Sequence, residues 1–344
     1  MFVVRPVDTP DIPALEAFAA AASPGVHTLP RTHESIAGAV AHSMASFAAP
    51  SDSTANEASY LFALQADGGQ LAGTAAMAAT AGACGTFFAF RKEVLSQASR
   101  DLGISHRVHA LTLCSDLTAY SQLSGFYLHQ RYRQHSAGPE AALLSRARLL
   151  FAALAPQRFS DRFFASMPGM TDVHGRAPFW EALGRKFFQM DFLEAERMIE
   201  GARNRTLIVE LMPHYPVYVP LLPEEAQAAI GQVHPAGELA CRMLSDEGFA
   251  PDAYIDIFDG GPVLQAHRSA LRSFSHAMLR RVATACGTDA ELGGVLFLVA
   301  AAREERFRAV LLRCMPAEER IALPQQALRA LDVTTGDNVV CVRL

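Results

Sequence analysis

Four prolines crowded into one short stretch constrain the middle of this chain more than any other feature. They stand at positions 213, 216, 220 and 223. Each proline fixes φ and removes a backbone hydrogen-bond donor, so residues 212–222 cannot form an ordinary helix or a central strand. The sequence therefore predicts a rigid extended segment here.

A short helix should follow the extended segment and end just before a histidine. Pro223 precedes two acidic residues, which is typical of a helix start, and the predicted helix covers residues 224–230. Gly231 favours termination of that helix. His234 then lies between the helix end and Pro235, which would hold its side chain in place. Two interpretations stay open: a role in proton transfer, or capping of carbonyls in a tight turn.

The composition indicates a globular protein with a large core. The chain has 344 residues, 50% hydrophobic and 19% charged, which is enough material for about two domains. The net charge of −5 comes without a long charged block, so neither nucleic acid nor an anionic membrane is expected as a partner. No apolar run approaches the ~20 residues of a membrane span and the N-terminus lacks a secretion signal, so a cytoplasmic location is expected.

The cysteines do not predict a metal centre or a disulfide framework. Six cysteines are scattered along the chain without a CxxC pair. Such cysteines are typically reduced and buried as small apolar side chains. No metal site is predicted.

Strands and helices follow one another in an irregular order, and the predicted fold class is α+β. The predicted strands are residues 2–7, 60–66, 70–76, 108–113, 123–128, 162–167, 254–258, 295–301, 306–312 and 338–344. The predicted helices are residues 12–19, 140–154, 178–184, 224–230, 238–246 and 324–331, with residues 268–294 as a helical linker. The strands 60–66 and 70–76 flank Asp67-Gly68-Gly69, which is a strong hairpin signal.

A basic loop separates the strand 123–128 from the helix that begins near Glu140. It contains Arg131, Arg133 and Gly138. Backbone N–H groups at a helix N-terminus, together with nearby arginines, suit a pyrophosphate group. The same residues could also form an ordinary solvated loop. Asp116, which follows the strand 108–113, also allows two interpretations: it could face a pocket, or it could simply be a turn residue.

Several long motifs together resemble the arginine N-succinyltransferase family. They are FYLH (126–129), LLSRARLLF (143–151), PFWEALGRKFF (178–188), ELMPHYPVYVPLLPEEAQ (210–227), IGQVHP (230–235) and YIDIFDGGP (254–262). They occur in one order over most of the chain. Within the family, residues 104–118, 124–130 and 212–223 are most similar to the α subunit of the two-subunit arginine/ornithine enzyme.

The resemblance implies a fold and an activity. The fold would be that of a GNAT-like acyl-CoA N-acyltransferase, a mixed, mostly antiparallel sheet flanked by helices, with a small C-terminal β unit. The activity would be succinyl transfer from succinyl-CoA, as co-substrate, to the α-amino group of L-arginine or L-ornithine, the first step of the arginine succinyltransferase pathway. A homologous β subunit would be the partner. The alternatives are a non-catalytic or regulatory subunit, or a GNAT-like enzyme acting on another amine.

The resemblance also assigns residues. The histidine that the family uses as proton donor falls on His234, and its succinyl-CoA contact falls near Phe126. The basic loop with Arg131, Arg133 and Gly138 would then meet coenzyme A. Here the chain departs from the single-subunit form, which has a Gly-Asn-Gly turn where this chain has Pro139, so weaker coenzyme A binding by the lone chain is expected.

An arginine substrate predicts an acidic pocket. Asp116, Glu210 and Asp256 are the candidates for binding it, and Asp259 could meet the guanidinium or orient His234. Each could equally be a surface or capping acid. The expected domains are residues 1–200 for the acyltransferase, 201–265 for a second lobe containing His234, and 266–344 for the linker and the small β unit.

Overall fold

The computed structural model describes residues 1–22, 29–50, 57–83, 85–99, 101, 103–133, 138–198, 211–284 and 294–344. In this part of the chain a 15-stranded, mostly antiparallel sheet is flanked by helices, which confirms the α+β class. Only two of its neighbouring strand pairs are parallel, β6 with β7 and β11 with β14.

The strands are numbered along the chain. They are β1 (Val3–Pro6), β2 (Ser59–Gln65), β3 (Leu71–Ala78), β4 (Ala89–Ser99), β5 (Ile104–Cys114), β6 (Ser121–Leu128), β7 (Arg162–Ser166), β8 (Val217–Tyr218), β9 (Ala250–Ile255), β10 (Pro262–His267), β11 (Met278–Thr284), β12 (Val295–Ala301), β13 (Ala309–Cys314), β14 (Arg320–Leu323) and β15 (Asn338–Arg343). Their order across the sheet is β14-β11-β15-β12-β13-β1-β2-β3-β6-β7-β10-β9-β4-β5-β8.

The helices of the described ranges are numbered in the same way. They are α1 (Ile12–Ala21), α2 (His33–Ala48), α3 (Gln130–Arg133), α4 (Pro139–Leu154), α5 (Pro178–Ala182), α6 (Gly184–Phe188), α7 (Phe192–Met198), α8 (Glu224–Ala229), α9 (Glu238–Glu247), α10 (Arg272–Ser275) and α11 (Gln325–Leu331). Short 3-10 turns precede α1, α9 and α10.

The helix α4 lies across the centre of one face of the sheet. It joins β6 to β7, and its side chains from Leu143 to Ala152 are buried together with residues of α9, β3 and the C-terminal strands. The opposite face is covered by α1 and α2, which bury residues such as Leu61 and Tyr127. Alternation along the strands sends neighbouring residues into these two layers. The sheet is therefore covered on both sides around β6.

Elements with strong local signals are confirmed. The Asp67-Gly68-Gly69 turn joins β2 to β3, and its two glycines have φ of +85° and +86°, which glycine adopts without strain. The helix predicted from residue 140 is α4, and the helix predicted over 224–230 is α8. The proline-rich segment contains only the short edge strand β8 and a 3-10 turn, Val219–Leu221, as its fixed φ angles require.

The strand predicted over residues 254–258 ends earlier than expected. β9 stops at Ile255, because the Asp256 side chain accepts a hydrogen bond from the N–H of Phe258 at 2.9 Å and closes a turn. The chain then returns as β10, which the sequence did not predict.

The helical linker predicted over residues 268–294 is wrong for its middle part. Met278–Thr284 is the strand β11, which pairs with β15 on one side and β14 on the other. Two strands distant in sequence supply its hydrogen bonds, and such non-local pairing overrides local propensity. Residues 285–293 lie outside the described ranges.

The three predicted domains share one sheet. β13 pairs with β1, and β10 pairs with β7. Strands from all three predicted domains thus belong to one sheet, and the division at residues 200 and 265 stays a prediction. In the ranges that the structure describes, no helix is long and apolar enough to cross a membrane.

Candidate active site at the opening between two parallel strands

The parallel strands β6 and β7 separate shortly after they begin. Their pairing covers Ser121 with Phe163 and Gln122 with Phe164, although β6 continues to Leu128. Beyond Gln122, the edge of β6 that faces β7 is not paired with that strand. Unpaired main-chain groups of this kind can hydrogen-bond an extended ligand as a further strand would. We call this gap the opening.

A β-bulge lies on β6 beside the opening. Thr74 pairs with Tyr127 and Ala76 with Ser124, so two residues of β6, Gly125 and Phe126, face a single residue of β3. Gly125 has a φ of +61°, which permits this bulge without strain. Bulges redirect main-chain and side-chain groups at a strand edge. Phe126, predicted to contact the acyl donor, is thus part of the bulge.

His234 lies at the other side of the opening, next to the end of β7. Its N–H donates to the carbonyl of Pro168 at 2.8 Å, two residues beyond β7. The neighbouring Val233 packs against the same apolar cluster as Phe126 and Met167. The bulge thus lies on β6, and His234 is bonded to the chain just beyond β7, the strand whose pairing with β6 ends at Gln122.

The His234 ring is held in one tautomer. Its Nδ1 accepts a hydrogen bond from the N–H of Ala236 at 3.1 Å, so Nδ1 carries no proton and the neutral ring carries it on Nε2. In the described part of the chain no protein group is hydrogen-bonded to Nε2. Burial lowers the pKa of His234 below its ordinary value of 6.5, which keeps the half-buried ring neutral at neutral pH. The ring can thus donate a hydrogen bond from Nε2.

The loop that contains His234 is fixed to a neighbouring turn. Gly231 donates its N–H to the carbonyl of Gly260 at 2.8 Å. In that turn the buried Asp259 accepts hydrogen bonds from the N–H of Gly169 at 2.7 Å and of Gly261 at 2.8 Å. Asp259 therefore joins the loop after β7 to the turn before β10, and both contact the His234 loop.

The predicted coenzyme A loop begins at the end of β6. Arg131, in α3, is exposed, and Arg133 ends α3. Gly138 is half-buried and precedes α4, but its φ of −58° shows no need for glycine at this position. Residues 134–137 lie outside the described ranges. The start of α4 and Arg131 thus lie at the same end of β6 as the opening.

Asp116 lies in a separate polar cluster on the sheet. Its carboxylate accepts hydrogen bonds from Arg91 at 3.0 Å and from the hydroxyl of Tyr254 at 2.9 Å. Arg91 also pairs with Glu93 at 2.6 Å, and Glu93 accepts from Thr112 at 2.8 Å. We call these five residues the Arg91 cluster. Neither His234 nor Phe126 takes part in the hydrogen bonds of this cluster.

The other acidic candidates differ in what the structure shows. Asp256 is buried, with 8% of its surface exposed, and it closes the turn that leads to Gly260 and the His234 loop. Glu210 lies outside the described ranges. Among the described residues no group of three or more His, Cys, Asp or Glu side chains is arranged to hold a metal ion.

A cavity of about 300 Å³ lies at the start of α4, on the side of the C-terminal strands. Its lining includes Phe2, Pro139, Leu296 and Leu311. It contains neither His234 nor Phe126. The cavity is therefore adjacent to the predicted coenzyme A loop and separate from the reacting end of the opening.

Sequence reasoning missed one residue beside the bulge, Arg148. Its guanidinium donates to the carbonyls of Ala76 and Ser124, both at 3.1 Å. The only sequence signal is a pair of arginines, Arg146 and Arg148, in the mostly apolar run Leu143–Phe151, on a helix whose residues there are buried. That signal does not indicate which strands the arginine contacts.

Two family models match the chain. The model described as "Arginine N-succinyltransferase beta subunit" matches residues 2–273. The model described as the C-terminal domain of that subunit matches residues 280–343.

Curated proteins match over their full length. The arginine N-succinyltransferase subunit alpha of Pseudomonas aeruginosa is 42% identical over 98% of this chain and 98% of its own length. Subunit beta of the same organism is 36% identical over 99% and 98%. The arginine N-succinyltransferase of Yersinia pseudotuberculosis is 35% identical over 100% and 98%.

A solved structure has the same fold. The arginine/ornithine succinyltransferase subunit AI from Pseudomonas aeruginosa matches with a TM-score of 0.90 and 38% identity, covering 100% of this chain and 98% of that one. The similarity in fold therefore extends over the whole chain.

Proposed function

The chain belongs to the arginine N-succinyltransferase family, and we propose that it transfers the succinyl group of succinyl-CoA to the α-amino group of L-arginine. The observation that carries this proposal is that a bulged strand edge and a histidine held with its proton on Nε2 both lie beside the opening. The resemblance read from the sequence motifs is confirmed at the level of the family. The comparisons do not favour the two alternatives, a non-catalytic or regulatory subunit and an enzyme acting on another amine.

The finer fold assignment, a GNAT-like acyl-CoA N-acyltransferase, is part of this proposal. Its support is the unit β6–α4–β7, in which two parallel strands diverge around a gap and one of them carries a bulge. An extended pantetheine arm can hydrogen-bond to such a strand edge as a peptide does. The pyrophosphate would then lie towards α3 and the start of α4, where N–H groups and Arg131 are available.

The reaction needs the two substrates to be oriented, the amine to lose a proton and the thiolate to gain one. The neutral α-amine attacks the thioester carbonyl carbon, an N–C bond forms, and the carbonyl electron pair moves onto oxygen. Collapse of this intermediate breaks the C–S bond, and the amine nitrogen gives up a proton to solvent. The coenzyme A thiolate leaves and takes up a proton. Main-chain N–H groups near the bulge are suited to stabilise the oxyanion.

His234 stabilises the leaving thiolate in our proposal. Nδ1 is occupied by the N–H of Ala236, so the ring cannot accept a proton there without losing this hydrogen bond. Nε2–H is the remaining donor, and it donates a hydrogen bond to the leaving thiolate, which takes its proton from solvent. The ring stays neutral, and solvent reaches it because His234 is half-buried rather than enclosed.

The residues that bind the two substrates are proposals as well. For the acyl donor they are Phe126, Arg131, Arg133 and Gly138, at the edge and end of β6. For arginine, Asp256 is favoured because its turn is bonded to the His234 loop through Gly260. L-ornithine fits the same acidic environment, because it also carries a cationic side chain.

We further propose that this chain is an α-type subunit and acts with a second chain of the same family. Its identity to the subunit alpha is 42%, against 36% to the subunit beta. Two homologous subunits of one organism, each with this fold, are expected to form a complex. Its interface should bury more than ~1,000 Å², so the complex should survive gel filtration. Pro139 at the start of α4 removes one N–H from the predicted pyrophosphate site, which a partner site would compensate.

Succinyl transfer is tested by mass spectrometry of the products. The chain is purified alone and together with a co-expressed β-type subunit, and each sample receives succinyl-CoA with L-arginine or L-ornithine. We expect N-succinylarginine mainly from the complex, at a rate well above the sum of the separate subunits. Full activity of the lone chain would contradict the two-subunit proposal. Absence of succinylated product from every sample would contradict the enzymatic function itself.

A further inference from the structure

Two neighbouring arginines of α4 are buried, and their surroundings differ. Arg146 is 6% exposed, and its Nε lies 3.0 Å from a carboxylate oxygen of Glu247 in α9. Arg148 is 2% exposed, and no carboxylate of the described ranges forms an ion pair with it. One buried cation therefore has a counter-ion, and in the described ranges the other is hydrogen-bonded to uncharged oxygens of Ala76, Ser124 and Ser145.

Arg148 holds the two strands at the bulge. A single guanidinium nitrogen donates to the carbonyl of Ala76 in β3 and to that of Ser124 in β6, both at 3.1 Å. Ser124 immediately precedes Gly125, the first residue of the bulge. The guanidinium carbon also lies 5.9 Å from the centre of the Phe126 ring. These contacts surround the bulge on its α4 side.

Such a residue is not explained by stability alone. A buried charge without a counter-ion carries a large desolvation cost, which hydrogen bonds to uncharged oxygens offset only in part. Burial lowers the pKa of Arg148 to about 9, so the guanidinium still carries its charge at neutral pH. The conformation of the bulge and the charge behind it are the properties that an apolar residue would not supply.

We propose that Arg148 is a positioning residue for the acyl thioester: it fixes the Ser124–Phe126 bulge that faces the opening and places a positive charge behind it. The proposal rests on the acyl transfer proposed above. The oxyanion of the tetrahedral intermediate would lie against the main chain of the bulge, with the guanidinium on the far side. In a site of low dielectric, a fixed cation at this position stabilises the developing negative charge without touching substrate.

The test compares variants of Arg148 with a matched variant of Arg146, all in the co-expressed complex. We expect Arg148→Met to lower kcat by about 10- to 100-fold with the KM for arginine changed less than about 3-fold, because only the transition state loses stabilisation. Arg146→Met should keep a kcat within about 3-fold of wild type, while its thermal midpoint falls because the buried Glu247 keeps the N–H of Ser273 but loses its cation.

Arg148→Lys keeps a charge but cannot bind both carbonyls in the same planar geometry. We expect its kcat to lie between those of wild type and Arg148→Met. It also replaces Arg148→Met as the test variant if that protein does not fold. A wild-type kcat in either folded variant overturns the proposal, and so does an equal loss of kcat in Arg146→Met.

Hydrogen–deuterium exchange of the segment 121–128 gives a readout that does not depend on activity. Faster exchange is expected in Arg148→Met than in wild type or Arg146→Met, because the bulge has lost its two carbonyl contacts. Unchanged exchange overturns the positioning role. If the wild-type complex transfers no succinyl group, the proposed function fails, and the exchange experiment still decides whether Arg148 fixes the bulge.

Discussion

The opening beside β6 and the Arg91 cluster show two different uses of polar groups. In the Arg91 cluster one cation, Arg91, is paired with two carboxylates, those of Asp116 and Glu93. At the opening the polar groups are mostly held by the main chain: His234 by Ala236 and Pro168, and the neighbouring turn by Asp259. The described part of the opening thus offers the Nε2–H of His234 and an edge of β6 that is not paired with β7.

Charge density alone does not point to the proposed reactive site of this protein. The Arg91 cluster contains more ionisable side chains, and they are hydrogen-bonded to one another. At the opening the His234 ring is held in one tautomer. For an acyl transfer, a fixed donor and an oriented strand edge are worth more than additional charge.

The largest effect is expected for His234→Ala in the assembled enzyme. We expect kcat to fall by about 100-fold or more, because the leaving thiolate loses the hydrogen bond from Nε2–H, while the fold remains intact. Steady-state kinetics and circular dichroism measure the two quantities. A kcat near that of wild type would show that His234 only caps its turn.

His267 provides a matched control for this experiment. Like His234, it precedes a 3-10 turn and accepts a main-chain N–H on Nδ1, here from Ser269 at 3.3 Å. His267→Ala removes the same kind of cap at the exposed end of β10, away from the opening. Its kcat should remain within about 3-fold of wild type.

Asp259→Ala should have the second largest effect. It leaves the buried N–H groups of Gly169 and Gly261 without their acceptor, which lowers the free energy of unfolding by about 1–3 kcal/mol for each unsatisfied donor. The loop that holds His234 through Pro168 loosens, so we also expect kcat to fall by about 10-fold. Denaturant unfolding and kinetics on the same samples check both.

Asp337 serves as the control for Asp259, because it accepts the N–H of Thr334 in a turn of the C-terminal strands. Asp337→Ala should lower the free energy of unfolding and leave kcat unchanged. If Asp259→Ala loses stability but keeps its kcat, Asp259 supports the fold without positioning His234.

Local signals in the sequence were sufficient for the elements around the opening. The apolar run of α4 and the β-rich run of β6 predicted both elements, and the proline-flanked histidine indicated a fixed ring. Helices and hairpins of this kind are specified by neighbouring residues, so periodicity and turn residues are sufficient to predict them.

The remaining features depend on contacts between distant parts of the chain. The opening arises because β6 and β7 stop pairing at Gln122, and no residue near Gln122 signals that. Arg148 contacts Ala76 and Ser124, and Asp259 contacts Gly169, across long sequence separations. For the same reason β11 was predicted as a helical linker, since its hydrogen bonds come from β14 and β15.

A smaller effect is expected for Arg131→Ala. Arg131 is exposed at the end of β6, where a phosphate of the acyl donor is proposed to lie. The KM for succinyl-CoA should rise by about 3- to 10-fold at low salt, and the difference should shrink at high salt because the contact is solvent-screened. Arg306→Ala, another exposed arginine, is the control and should leave this KM unchanged. An unchanged KM for Arg131→Ala would place the phosphates elsewhere.

The smallest effect is expected for Asp116→Asn, which tests whether the Arg91 cluster takes part in arginine binding. Because Arg91 already compensates the Asp116 carboxylate at 3.0 Å, we expect the KM for arginine to change by less than about 3-fold. The Tyr254 hydroxyl provides an internal check: burial and the hydrogen bond to Asp116 raise its pKa to about 12. In Asp116→Asn this pKa should move towards its ordinary value of 10 while burial keeps it above that value, as measured by ultraviolet titration. A tenfold rise in the arginine KM would instead assign the guanidinium to Asp116, and the Arg91 cluster would then belong to the active site.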